Sequence, residues 1–432
     1  MPFLTDLDSR AAVKGSRDPL GIQQIWTRLG RHVVGNLTTV STSVRDYATL
    51  LLGYHFAEQV AEHVGPGSEL ATFMKWEQLA AYCRARCNSD FVFRGTEKVQ
   101  RILSEGTRIC LSADRNHQIL SNQKIYGLWG LYTVPARSSG LLDGEPARLT
   151  PTARAFVEEQ YLPRLGGSTG RHVSRILDLL RQNQARLDIA KADEPLAKAV
   201  ALVLAKKLTA KEKAFYREHL LYGGPQDATH GLQKQAAELF APTFGDESWG
   251  FTPTALRHFA KEARAPSRSW EKVAHNLDRI ATCETVMGPA AMLFSYMLGL
   301  DGKSMKTAAD RVREAWGSGL RTVKPASFGE LHPEIASGDK PTGDRWVAVA
   351  EAFAGGDYGC AVATLVDQNK AVMAARGGAA WIEIRKGALH VRVRDENGRL
   401  PDQDEVGDLW RFPYFLDSLQ TVGATLQESD HD

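Results

Sequence analysis

A mainly α-helical, multidomain chain with a small α/β unit near its C-terminal end is the fold class that the sequence predicts. Three observations predict it. Apolar residues recur at helical spacing through most of the 432 residues, the pattern of helices that bury one face. Period-two alternation is confined to short runs, the clearest being Trp381-Ile382-Glu383-Ile384 and Leu389-His390-Val391-Arg392-Val393, joined by a turn at Lys386-Gly387. The length exceeds what one small core needs and suits two or three domains.

Taken in order, the first seventeen residues read as a loose polar arm. Asp18-Pro19 reads as a helix start, an Asx cap followed by proline at the first helical position. Ile22, Ile25, Trp26, Leu29 and Val33 follow at helical spacing, and Gly35-Asn36 closes the helix. A second helix carries Val44, Tyr47, Leu51 and Tyr54 and ends near Gly65-Pro66-Gly67, so residues 18–67 form an N-terminal helical pair. Leu70, Phe73, Trp76, Leu79 and Tyr82 lie on one helical stripe. Glu97, Val99, Ile102 and Leu103 suggest a helix ending at Gly106, and Arg108-Ile109-Cys110-Leu111 a strand. Ser121-Asn122-Gln123-Lys124 then opens a helix through Ile125, Leu128, Leu131 and Val134. A turn at Asp143-Gly144, an extended Ala147-Arg148-Leu149 and a new helix at Thr150-Pro151-Thr152 complete this second domain, residues 69–165. Gly166-Gly167-Ser168-Thr169-Gly170 reads as the clearest linker.

Residues 171–320 read as helical almost throughout, with Ile176, Leu177, Leu180 and Leu187 in one amphipathic stretch and Leu196 to Leu204 in another. Thr209 and Glu212 have the spacing of a capping box. Thr150-Pro151-Thr152-Ala153 and Thr252-Pro253-Thr254-Ala255 echo each other, and shared cap chemistry explains this without duplication. The segment 322–343 reads as a second connector or a long surface loop. Residues 344–424 form the small α/β unit, closing on the aromatic cluster Trp410, Phe412, Tyr414 and Phe415 ahead of an acidic tail.

Composition excludes several classes. Lys plus Arg is 53 against 51 for Asp plus Glu, a net charge of +2, so nucleic-acid binding must rest on a local patch rather than on bulk charge. No apolar run approaches a membrane span; Met287 to Leu300 contains Gly288-Pro289 and reads as a buried helix. The opening Met1-Pro2-Phe3-Leu4, followed by Asp6 and Asp8, does not read as a signal peptide. Five dispersed cysteines fit reduced thiols and a cytoplasmic location.

The order helix, strand, tight turn, strand, helix around residues 121–152 resembles the winged helix-turn-helix superfamily of bacterial regulators, in which the wing often ends in a Leu-Thr-x-x-Gly-Arg helix start. The chain has Leu149-Thr150-Pro151-Thr152-Ala153-Arg154, with Ala153 at the usual glycine. The resemblance implies a winged helix whose helix start and wing touch double-stranded DNA. Arg115, Ser121, Asn122, Gln123, Lys124, Arg137 and Arg148 are then the DNA-binding candidates: amides pair with adenine edges, and Lys and Arg with guanine or phosphate. A looser similarity of the whole chain to multidomain proteins of bacterial anti-phage defence and DNA-modification islands implies a subunit or regulator with protein partners.

Competing chemistry is thin. Cys83, Cys87, Cys110 and His117 supply soft ligands, but at spacings that fit buried thiols better than zinc. Glu383-Ile384-Arg385-Lys386 approximates a restriction-type Glu-x-Lys, with Arg385 at the lysine and only Asp357 or Asp367 as a preceding acid; metal-dependent cleavage needs a second well-placed carboxylate. Gly355-Gly356-Asp357-Tyr358-Gly359 lacks the Lys-Ser/Thr of a phosphate loop, and nucleophile-elbow and dinucleotide fingerprints are absent. The basic groups Lys206, Lys207, Lys211, Lys213 and Arg257, Lys261, Arg264, Arg268 could each track a phosphate backbone, but Glu212, Glu218 and Glu262 dilute them and a solvated helix face is the plainer reading. No cofactor, metal or catalytic residue is expected. The leading expectation is a non-enzymatic DNA-associating protein. The alternatives are a protein scaffold that docks partners through its winged helix and C-terminal aromatic residues, and a metal-dependent nuclease using Glu383.

Overall fold

A computed structural model describes residues 18–88, 93–166, 170–395 and 397–427. It is 61% helical and 6% strand, the mainly α class that the spacing implies. The N-terminal arm, the centre of the Gly166–Gly170 linker and the acidic tail lie outside the described residues. Two compact units make up the chain. One comprises the residues up to Val33 with Glu247–Asp417, the other Val34–Asp246 with the residues from Ser418. The N-terminal helical pair is therefore divided between units, and neither the 166–170 linker nor the 322–343 connector marks a boundary between them.

In the first unit, helix Ile22–Arg31 buries Ile22, Ile25, Trp26 and Leu29. It begins three residues later than Asp18-Pro19 suggests. Gly21 occupies the cap in a left-handed conformation, while the Asp18 carboxylate accepts from the amides of Ile22 (2.9 Å) and Gln23 (3.1 Å) across a preceding turn. Pro253–Ala263 and the long Glu271–Met297 form the helical body, the latter running through the buried Gly288-Pro289. Short helices Pro325–Gly329 and His332–Ala336 occupy the expected connector. Lys340–Gly355, Tyr358–Ala375 and the hairpin Ile382–Arg385 with Ala388–Val391 form the small α/β portion. Lys386 and Gly387 both take positive φ (49° and 78°), as a two-residue hairpin turn requires. Tyr414 and Phe415 are buried and pack edge-on against Trp26, with ring centroids 6.3 and 5.2 Å apart. These two rings therefore belong to the core and not to a docking surface.

Glu284 sits in the middle of the long helix, fully buried. It accepts from the Arg411 amide, from the Phe412 amide at 3.3 Å and from Tyr414 Oη at 2.8 Å. Burial pushes its carboxyl up to about 8, against the pull of those donors. A carboxyl whose pKa is raised by folding holds its proton more tightly in the native state, so its stabilising contribution is complete below about pH 4.5 and is lost as pH rises through the folded value. The melting temperature is accordingly expected to fall between about pH 4.5 and 8 and to level off above that, and to fall less in Glu284→Gln, whose amide oxygen keeps the two backbone amides while its nitrogen donates to Tyr414 Oη. An unchanged slope in that variant would remove Glu284 as its cause.

In the second unit, helices Val44–Val64 and Glu69–Cys87 pack together, with Trp76 buried between them and its indole N–H donating to Thr49 O at 2.8 Å. Ser43 caps the first helix by accepting from the Asp46 amide, and Gly65 ends it at φ 111°. Strand Arg108–Ser112 pairs antiparallel with Gln184–Asp188. That second strand corrects the helical reading of residues 171–320: helix Arg171–Arg181 stops before it, and Leu187 faces the core from a strand. The capping box at Thr209 and Glu212 is formed.

Candidate nucleic-acid interface

The segment expected to touch DNA begins with two helical pieces where the spacing suggests one. Asn122 caps the short helix Gln123–Tyr126 by accepting from the Ile125 amide at 3.3 Å. Gly127 interrupts the chain, and Leu128–Ser138 follows. A Cβ on Gly127 would lie 2.4 Å from Gln123 O and 2.7 Å from the Glu77 carboxylate, so only glycine lets the two helices meet here. The break places Ile125 (53% exposed) on a separate helical piece from Leu128 (4%), and Val134 (67%), six positions after Leu128 on the longer helix, has turned away from its buried face.

Two aromatic residues anchor the longer helix to Val44–Val64. Trp129 stacks on Tyr54 (5.0 Å, 17°), and Tyr132 meets Tyr47 edge-on at 5.0 Å. Burying each such ring contributes about 1.5–3 kcal/mol. A hairpin follows, with Leu142 opposite Leu149 and Asp143 opposite Arg148, Gly144 turning it at φ 72°. Leu149 N donates to Glu58 Oε1 at 2.8 Å, and Arg154 binds the other oxygen. Thr150 caps the helix Pro151–Phe156. The order helix, hairpin, helix read from the sequence is present. Strand Arg108–Ser112, however, pairs with Gln184–Asp188 and not with this hairpin.

The candidate side chains divide sharply. Arg115, Ser121, Lys124 and Arg148 are exposed, as is Asn122, whose side-chain oxygen serves the helix cap. Arg137 is half-buried and pairs at 3.4 Å with Glu145 in the hairpin turn. Gln123 is a correction: it is fully buried and cannot reach a base edge. Its amide nitrogen donates to Met74 O at 2.9 Å and to Glu77 Oε2 at 2.7 Å, while its oxygen accepts from Gln78 Nε2 and Ile119 N. Glu77 also accepts from Leu128 N at 2.8 Å, and burial pushes its carboxyl up to about 7. Beside it lies a second buried cluster that the sequence does not disclose. Arg84 lies 3.4 Å from Asp46, whose other oxygen accepts from Tyr132 Oη at 3.3 Å; burial raises the Asp46 carboxyl and Arg84 opposes that rise. These networks fix where the exposed helix and hairpin sit.

The other chemistries find little geometric support. Cys83 is buried and Cys87 exposed, and the described residues hold no grouping of three or more His, Cys, Asp or Glu fit for a metal ion. Glu383 is clasped by Arg385 at 2.8 Å and Arg392 at 2.9 Å, which hold its carboxyl below the usual range against burial, and it faces His390 across the hairpin. Asp357 caps the Tyr358–Ala375 helix. Among the described residues no helix is long and apolar enough to cross a membrane. Comparison with models of protein families, with characterised proteins and with solved structures returned no match to the chain.

Proposed function

We propose that the chain is a DNA-associating protein, a subunit or regulator of a larger assembly, that meets the duplex through the helix-and-hairpin segment of residues 121–150. One observation carries the reading. A well-anchored helix leads directly into a hairpin, and Lys124 and Arg148 stand exposed at the start of that segment and on the hairpin. Gln123 drops out of the DNA-facing set, which leaves Lys124, Arg148, Arg115, Ser121 and Asn122 as the groups able to meet phosphates or base edges. In Lys124→Ala with Arg148→Ala, affinity for a random duplex is expected to fall, and the slope of log K against log salt to flatten by about 0.9 for each phosphate that is no longer neutralised. Fluorescence anisotropy at about 50 and 200 mM salt measures both.

A second reading rests on a different observation. Ile125 and Tyr126, 53% and 54% exposed, and Val134, 67% exposed, lie on the same two helical pieces, and exposed apolar groups of this kind suit a protein partner. Duplex binding indifferent to both Lys124 and Arg148 would assign the segment to that role.

A further inference from the structure

The second unit contains the same small module twice. Val99-Gln100-Arg101-Ile102-Leu103 in helix Thr96–Glu105 matches Val173-Ser174-Arg175-Ile176-Leu177 in helix Arg171–Arg181. Each helix is followed by a two-residue connection, Gly106-Thr107 or Gln182-Asn183, and then a five-residue strand, Arg108–Ser112 or Gln184–Asp188. A middle helix follows, Leu128–Ser138 after the short Gln123–Tyr126 in the first copy and Glu194–Val203 in the second. Leu149-Thr150-x-x-x-Arg154-Ala155-Phe156 then matches Leu208-Thr209-x-x-x-Lys213-Ala214-Phe215. Both threonines cap their helices, and both helices run on into a five-residue π-helical turn, Val157–Tyr161 or Arg217–Leu221. Such turns are rare, so their recurrence at the same place is hard to assign to shared cap chemistry.

The two copies face each other about a local twofold. The strands pair antiparallel with the central residues opposed, Cys110 against Arg186. The equivalent phenylalanines Phe156 and Phe215 stack with centroids 3.7 Å apart and planes 5° from parallel. The copies differ where the first has its hairpin. The second has the tight connection Leu204 to Leu208, with Lys206 and Lys207 exposed.

The middle helix of the second copy borders a cleft with the first helix of that copy. Its outer face lines this cleft of about 580 Å³ together with Arg164, Arg171 and Arg175. Lys198 reaches the cleft from the helix itself. Asp193 is the one carboxylate among the described residues of the lining, and it is engaged by Arg175 at 3.0 Å and by the Asp188 amide at 3.1 Å. Arg164 lies 3.5 Å from Glu212 and Lys198 3.0 Å from Glu194, so the cations are ordered but remain in excess over the acids that face the opening.

We infer that this cleft, formed on the first and middle helices of the second copy with Arg164 from the segment before it, is a second phosphate-binding contact for the duplex. The inference rests on the DNA-associating reading and locates part of that contact where the sequence motif does not point. Set against the carboxylates of Asp193 and Glu194, the four cations leave the cleft with a net positive face toward which a nucleic-acid backbone is drawn, in a chain whose overall charge is nearly balanced.

The test uses the full chain and a labelled random duplex at about 50 and 200 mM salt. Arg171→Ala with Lys198→Ala leaves the pairs of Arg175 and Arg164 intact, and an unchanged melting temperature establishes that the variant is folded. With two fewer phosphates neutralised, the salt slope flattens by about 1.8, so the wild-type advantage over the variant is expected to shrink roughly tenfold across that salt range. A folded variant with the wild-type slope, alongside a flattened slope in Lys124→Ala with Arg148→Ala, overturns the second contact and leaves the first standing. Wild-type protein that binds no duplex at 50 mM salt overturns both.

Discussion

Arg45→Ala is expected to destabilise the unit that contains it by about 3–5 kcal/mol, the cost of leaving a buried charge without its partner. Arg45 and Glu212 form an ion pair with side chains 4% and 0% exposed. Glu212 is also the third residue of the capping box, accepting from Thr209 N at 2.8 Å. Burial pushes the Glu212 carboxyl up, and the hydrogen bond and charge of Arg45 pull it below its ordinary value. Without the guanidinium, Glu212 is left with the weaker pull of Arg164 at 3.5 Å, and protonation of the carboxyl becomes the cheaper state. Urea unfolding at pH 7 and pH 5 checks this: the destabilisation should be larger at pH 7. A change under 1 kcal/mol would mean that the pair is open to water, since exposed pairs are worth about that much or less.

Gln123→Leu is expected to cost about 3 kcal/mol, whereas Lys124→Ala, its neighbour in sequence, should stay within about 0.5 kcal/mol. The leucine leaves Met74 O and the Ile119 amide without the amide they bond, and removes one donor from Glu77. Each buried group left unsatisfied costs about 1–3 kcal/mol, partly offset by the added apolar surface. Equal stability of the two variants would place Gln123 at the surface and return it to the DNA-facing set.

Local signals are legible where they are chemically self-contained. Thr150 as a cap, Thr209 with Glu212 as a capping box, Gly65 as a helix stop and Lys386-Gly387 as a hairpin turn each depend on residues within a few positions of one another. The strand Gln184–Asp188 is not legible, because its alternation spans five residues and its partner lies far upstream at Arg108–Ser112. Gln123 reads as exposed because amide side chains near a helix start commonly face solvent. A contrary signal exists. Lys75, Glu77 and Gln78 interrupt the apolar run from Phe73 to Tyr82 with three polar residues, and buried polar groups in a packed helix require partners from elsewhere in the chain. The division of the first helix from the second is invisible for a similar reason, since amphipathic spacing shows that a face is buried but not against what.

That division sets an order of events during synthesis. Helix Ile22–Arg31 emerges from the ribosome with Ile22, Ile25, Trp26 and Leu29 ready for burial, yet the rest of its unit begins at Glu247. At about 5–20 residues per second, roughly 10–40 s of translation separate the two. During that interval the intervening unit can begin to collapse while the N-terminal helix holds an apolar face with no native mate. The nascent chain thus carries a waiting segment, a natural target for a chaperone, and fragments cut anywhere between Val34 and Asp246 would inherit it permanently.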